Sequence, residues 1–245
     1  MFFMRMKFRL SDSDKEAEAA RDFEDAFERE VVTPFEMQHR LVLKPRPQRV
    51  AILVSKADHA LQELLWRWRN RELAAEVRMV VSNHDALRDF ADRFSVPFHH
   101  LPITAETKPQ QEQALHEILA ADGIELVVLA RYMQILSSSF VSKWPQQIIN
   151  IHHSFLPAFI GADPYRKAYE RGVKLIGATA HYVTDDLDEG PIIAQDVISI
   201  SHRESVHDLR RRGKEVERAV LARAVDAHLE DAVLVHENKT VVFAP

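Results

Sequence analysis

Between residues 49 and 152 the chain repeats one pattern: a short apolar, largely β-branched run, then a helical stretch. The runs are Arg49–Ser55 (RVAILVS), Val77–Ser82 (VRMVVS), Phe98–Ile103, Ile124–Ala130 (IELVVLA) and Ile148–His152 (IINIH). Most are apolar at consecutive rather than alternate positions, so both faces of each strand must be buried. Helices are predicted over Asp58–Arg71, Asp85–Phe94, Pro109–Ala121 (proline in its first turn) and Ser137–Lys143. Doubly buried strands separated by helices require a sheet covered on both sides. The expected fold is therefore α/β, an open doubly wound and mostly parallel sheet, with ligands at the carboxyl ends of the strands.

The rhythm changes on either side of this block. Lys174–Thr184 and Pro191–Ser201 predict two antiparallel strands joined by the acidic turn Asp185–Gly190. A long helix over Ser205–Leu229 follows, then a small strand pair, Val233–His236 and Thr240–Phe243. Ahead of the block, residues 1–10 and Phe35–Leu43 predict strands flanking a helix over Lys15–Glu30, with Ser13 or Asp14 as its cap and Pro34 as its stop. Residues 1–44 thus read as a small α+β strand–helix–strand unit, 45–48 as a linker and 49–245 as the main domain. Forty-four residues are too few to hold a core alone, so this unit is expected to pack on the rest of the chain or on another subunit.

Composition removes several classes of function. With no cysteine, the chain has no disulfide framework, thiolate metal site or cysteine nucleophile. A net charge of −5 gives no reason to expect a nucleic-acid partner. No apolar run approaches the roughly 20 residues that span a bilayer. The apolar start is interrupted by Arg5, Lys7 and Arg9 and lacks a small-residue cleavage site, which argues for no signal peptide and a cytoplasmic protein. Thirteen histidines raise the question of a metal. None has HExxH or other dense ligand spacing, and a site of His152, His181 and Asp188 is the weaker alternative to a metal-free one. His152 and His153 are expected on opposite faces of their strand.

The densest polar group at a strand end is Asn150-Ile-His152. Residues two apart share a face of a strand, so Asn150 and His152 point together. Such a pair either satisfies loop backbone or performs acyl chemistry, the amide steadying an oxyanion and the imidazole moving protons. The acidic turn Asp185–Glu189 reads by default as a solvated loop. A carboxylate from it would orient the imidazole if the two strand ends lie side by side. His181, on the strand feeding that turn, is a further candidate.

Three segments then fit together. Asn150-Ile-His152-His-Ser-Phe-Leu-Pro157, Gly177-Ala-Thr-Ala-His181 and Asp185-Asp-Leu-Asp188-Glu-Gly190 resemble, in order, the motifs of the formyltetrahydrofolate-dependent transformylase superfamily. Within it the chain is most similar to the formyltetrahydrofolate deformylase family. Ser55-Lys-Ala-Asp-His59, Ala130–Leu136, Pro164–Gly172 and Val233–Phe243 carry that likeness across residues 49–243. The resemblance implies a formyltransferase-like Rossmann variant and a metal-independent Asn150/His152/Asp188 triad supported by His181. It implies folate contacts at Met133, Gln134, Leu136, Asp185 and Asp186. It also implies a place in one-carbon metabolism, supplying formate for purine synthesis and balancing folate pools. Residues 1–44 resemble only the second half of an ACT regulatory domain, which implies a truncated gene model, an internal start, or a half-domain completed by a partner in a homo-oligomer that covers the surface left open.

Glycine separates hydrolysis from transfer. The chain has only six, none before Gly123, where average usage of ~7% would give about seventeen. A phosphorylated acceptor calls for a glycine-rich turn after the first strand, whose backbone N–H groups hold the phosphate. Here that turn is Ser55-Lys-Ala-Asp-His59, with an aspartate that repels phosphate. Water is then the remaining acceptor. The expected reaction is hydrolysis of 10-formyltetrahydrofolate, the folate being substrate rather than cofactor. A formyltransferase acting on a small unphosphorylated amine is the alternative; an idle folate-binding protein would have no need of all three triad residues.

Overall fold

The computed structural model describes residues 1–8, 16–42, 46–158 and 163–243. The caps expected at Ser13 or Asp14 lie outside them, as do Phe159–Gly161. Two compact units result, residues 1–46 and 47–245.

The first unit contains helix α1 (Glu16–Phe27), continued by a π-helical turn over Glu28–Val32. The strands expected over residues 1–10 and Phe35–Leu43 do not form at residues 1–8 or 35–42. A strand exists only through hydrogen bonds to a neighbouring strand. These segments instead meet the helix through their side chains, Phe8 against Phe23 at 4.8 Å between ring centroids and His39 against Phe27 at 5.6 Å. Phe2, Met4, Met6 and Phe35 stay exposed, so the apolar spacing here marks neither a sheet nor a buried face.

The second unit begins with β1 (Gln48–Val54), α2 (His59–Arg69) and β2 (Ala75–Ser82). A 3₁₀ turn leads into α3 (Arg88–Asp92), then come β3 (Phe98–His100), α4 (Lys108–Ala121) and β4 (Leu126–Leu129). α5 (Ser138–Val141), β5 (Ile148–His152), α6 (Pro164–Arg171), β6 (Leu175–Tyr182) and β7 (Ile192–Ser199) follow. α7 (Val206–Leu229) and the hairpin β8 (Val233–His236)–β9 (Lys239–Val242) complete it. Helix α6 is the element the apolar pattern did not anticipate. Its signals are punctuation only: Pro164 in the first turn and Gly172, at φ 68°, closing the end.

The seven-stranded sheet has the order β3-β2-β1-β4-β5-β6-β7. It is parallel through β5, and β6 and β7 are antiparallel to each other, as the sequence rhythm implied; β6 is also antiparallel to β5. Consecutive residues of β1 serve opposite layers. Val50, Ile52 and Val54 pack with Leu61, Leu64 and Leu65 of α2 and Val220 and Leu221 of α7. Ala51 and Leu53 pack with Leu115 and Leu119 of α4 and with Phe140 and Trp144. Each such fully buried leucine or isoleucine contributes roughly 1.5–3 kcal/mol, which holds the central strands rigidly beneath the loops they carry. Strand order reverses between β1 and β4, opening a crevice at their carboxyl ends. No helix among the described residues is long and apolar enough to cross a membrane.

Candidate active site

Register brings the first three side chains together. β5 pairs with β6 so that Asn150 lies opposite His181, and His152 follows Asn150 on the same face. Asn150 Nδ2 is 3.2 Å from His181 Nε2, and His181 Nδ1 is 2.9 Å from the Tyr182 carbonyl. A carbonyl only accepts, so Nδ1 donates and Nε2 is left to accept from the Asn150 amide. That bond fixes the amide's orientation and leaves its second N–H unused by His181.

The loop from β6 to β7 supplies the fourth group. Gly190 lets the loop press against the end of β6; a Cβ there would lie 1.8 Å from the Tyr182 carbonyl oxygen. Asp188, two residues earlier, adopts φ 60°, a left-handed conformation that aspartate tolerates better than most residues. Its carboxylate then reaches the strand-end histidines, Oδ2 at 3.2 Å from His152 Nδ1 and Oδ1 at 3.7 Å from His181 Nε2. Burial pushes the Asp188 carboxyl up, but the hydrogen bond from the His152 imidazole opposes burial, and the carboxyl is held well below the usual carboxylate range. An ionised Asp188 accepts from His152 Nδ1–H. His152 Nε2 is buried and has no hydrogen-bond partner among the described residues. An amide N–H, an imidazole nitrogen without a partner and a carboxylate behind that imidazole form a set suited to acyl transfer.

The other expected positions are spread around this group. Met133 is exposed on the turn after β4, and its N–H donates to Ser55 Oγ at 2.9 Å, tying that turn to the end of β1. Leu136 packs against the α4–α5 side of the core, and Gln134 is half-buried between them. Asp185 and Asp186 are exposed in the β6–β7 loop. No hydrogen bond or ion pair joins these five to Asn150, His152 or Asp188 among the described residues. Nor, among those residues, are three or more His, Cys, Asp and Glu side chains arranged to hold a metal ion.

His153 departs from expectation. β5 ends at His152, so strand alternation does not extend to the next residue. The two rings stack, with centroids 5.3 Å apart and planes at 22°. Behind His153 lies a buried polar network that sequence spacing did not disclose. Arg131 Nη1 donates to His153 Nδ1, and Arg131 Nε lies 3.3 Å from Glu217 Oε2. Glu217, only 1% exposed on α7, also accepts from His59 Nε2 at 2.8 Å and from the Tyr165 hydroxyl at 2.5 Å. Burial, then the Arg131 charge, pushes His153 down to about 4, so its ring is neutral at pH 7. Burial raises Glu217, but His59, Arg131 and Tyr165 outweigh that and keep it ionised. One signal was present: Glu217 interrupts the apolar face of α7 formed by Leu209, Val216, Val220, Leu221 and Ala224.

Residues 48–225 match the model of the formyl transferase family. The chain is 50% identical over 242 residues to a formyltetrahydrofolate deformylase of Bacillus subtilis, covering 99% of this chain and 79% of that protein. It is 58% identical over 196 residues to the formyltetrahydrofolate deformylase of Synechocystis, covering 80% and 69%. The crystal structure of a formyltetrahydrofolate deformylase from Pseudomonas syringae superposes with a TM-score of 0.87 at 46% identity, covering 91% of this chain and 75% of that one.

Proposed function

The chain belongs to the formyl transferase family and, within it, to the formyltetrahydrofolate deformylases, and on that footing we propose how its residues act. It hydrolyses 10-formyltetrahydrofolate to formate and tetrahydrofolate. The observation that carries the assignment of residues is the convergence of Asn150, His152, His181 and Asp188, with His152 Nε2 buried and unpartnered. The unused N–H of Asn150 polarises the formyl oxygen and stabilises the oxyanion that forms when water attacks. His181, through its bond to Tyr182, orients that amide. Asp188 holds His152 with Nδ1 protonated, so Nε2 faces the reaction.

Water adds to the formyl carbon, and one of its protons passes to His152 Nε2. The bond from that carbon to N10 breaks as N10 takes a proton, and formate and tetrahydrofolate leave. This route uses the chain's own groups and needs no cofactor. The folate lies against the turn of Met133, Gln134 and Leu136 and the backbone of Asp185 and Asp186; exposed Met133, Ile135 and Leu187 support an apolar contact there.

Residues 1–44 we read as a partial ACT-like unit. Its helix supports this, and its exposed Phe2, Met4, Met6 and Phe35 support a homo-oligomer in which a second copy covers them. Light scattering tests the oligomer. An absorbance assay with 10-formyltetrahydrofolate alone, followed by formate detection, tests the reaction. Turnover that starts only on adding an amine would favour the transferase alternative.

A further inference from the structure

The network around Glu217 takes no part in the hydrolysis written above, yet it adjoins His152. His59 opens the helix after β1, Arg131 sits just after β4 and His153 just after β5. These are the carboxyl ends bordering the crevice where strand order reverses, the place an open α/β sheet offers to ligands. Here side chains from these ends bond to one another through Glu217 and Arg131.

The set is built around one carboxylate and one guanidinium, while His59 Nδ1 and Arg131 Nε are buried with no hydrogen-bond partner among the described residues. The Glu217 carboxylate has His59, Tyr165 and Arg131 around it, and Arg131 supplies the opposite charge. Neutral His153 accepts from Arg131, so the guanidinium is directed inward at both ends. No unbalanced charge is left to draw in an ionic acceptor.

Two positions go against local backbone preference to build it. Arg131 adopts φ 65°, a left-handed conformation natural to glycine and strained for arginine. Conversely, Gly213 sits inside α7, where alanine would be the better helix former. A Cβ at Gly213 would lie 2.0 Å from the Tyr165 hydroxyl, so the missing side chain is the space through which Tyr165 reaches Glu217, one turn further on. An arginine at a glycine's conformation and a glycine at an alanine's position both serve the same five side chains.

We propose that His59, Arg131, His153, Tyr165 and Glu217 plug the half of the cleft in which a formyl acceptor would lie. They leave space beside His152 for water and exclude larger amines. The proposal rests on the deformylase reading and identifies what makes the site hydrolytic. In the excluded reaction, an amine nitrogen would attack the formyl carbon while its bond to N10 broke. N10 would take a proton, the amine would lose one, and a formamide would leave in place of formate.

The test measures partition between the two products. Wild type, Arg131→Gly and His59→Ala are given 10-formyltetrahydrofolate with and without glycinamide at pH 8.5, and formate and N-formylglycinamide are quantified separately. Glycine suits the backbone at residue 131, and His59→Ala removes one donor while leaving the ion pair intact. Wild type should make formate at the same rate with or without the amine. The formamide-to-formate ratio should rise about tenfold or more in variants that open the plug. Formamide from wild type at the expense of formate would overturn the proposal, as would a folded, formate-producing variant whose ratio stays at the wild-type value. Absence of formate from wild type without amine would refute the hydrolytic reading itself, a separate outcome from the same runs.

Discussion

Asp188→Asn isolates the charge behind His152 with little change in shape. The carboxylate oxygen lies 3.2 Å from His152 Nδ1. A unit charge at about that distance interacts with an imidazolium by roughly 5 kcal/mol at an effective dielectric of about 20. Part of this survives the substitution, because an asparagine oxygen can still accept from Nδ1–H and keep the ring oriented. A loss of about 4 kcal/mol in the transition state corresponds to about 10³ in kcat. Asp188 does not itself hold the folate, so KM should stay within about threefold. Stopped or continuous absorbance assays of tetrahydrofolate formation give both constants, and calorimetry confirms that the variant is folded. Turnover within about threefold of wild type would remove Asp188 from the mechanism, and an effect confined to KM would recast it as a binding residue.

Acid should erase the stability difference between wild type and Asp188→Asn. The folded carboxyl is held below its ordinary value of 3.8. Its contribution is therefore fully present above that value and is lost as pH falls through the folded one. Chemical denaturation at pH 7 and at pH 3 should show the gap narrowing; a constant gap would contradict the ion pair. His153 gives the opposite kind of slope, since a base held at about 4 is neutral in the fold while its unfolded form binds protons below about 6.5. Stability should thus fall by up to ~3 kcal/mol between pH 6.5 and 4, and His153→Gln should flatten that slope. Gly213→Ala should destabilise by about 1–3 kcal/mol despite alanine's helix preference, because its methyl meets the Tyr165 ring. An equal or higher melting temperature would show that Tyr165 can move aside freely.

What could be read from sequence follows the range of the interactions involved. β1, β4 and β5 were legible because each is a continuous apolar run, and burial on both faces leaves that mark. Asn150 and His152 were legible as a pair through strand period alone. Connecting them to Asp188 required motif order, since register between β5 and β6 is set by pairing, not by composition. The apolar residues of 1–8 and 35–42 misled because alternating apolar residues such as Phe2, Met4 and Met6 are exposed there and pair with no strand among the described residues. The Glu217 network stayed hidden for a topological reason. Its five members come from the ends of β1, β4 and β5 and from α6 and α7, and only the crossing of strand order makes them neighbours.

Deformylation in ¹⁸O-labelled water, with no amine added, bears most directly on the convergence of these groups at the formyl carbon. Wild type should release formate carrying one solvent oxygen, and Asn150→Ala should slow that release by about 10²–10³. Labelled formate appearing equally fast without the Asn150 amide would contradict the assignment of that side chain to the oxyanion, and with it the site as described.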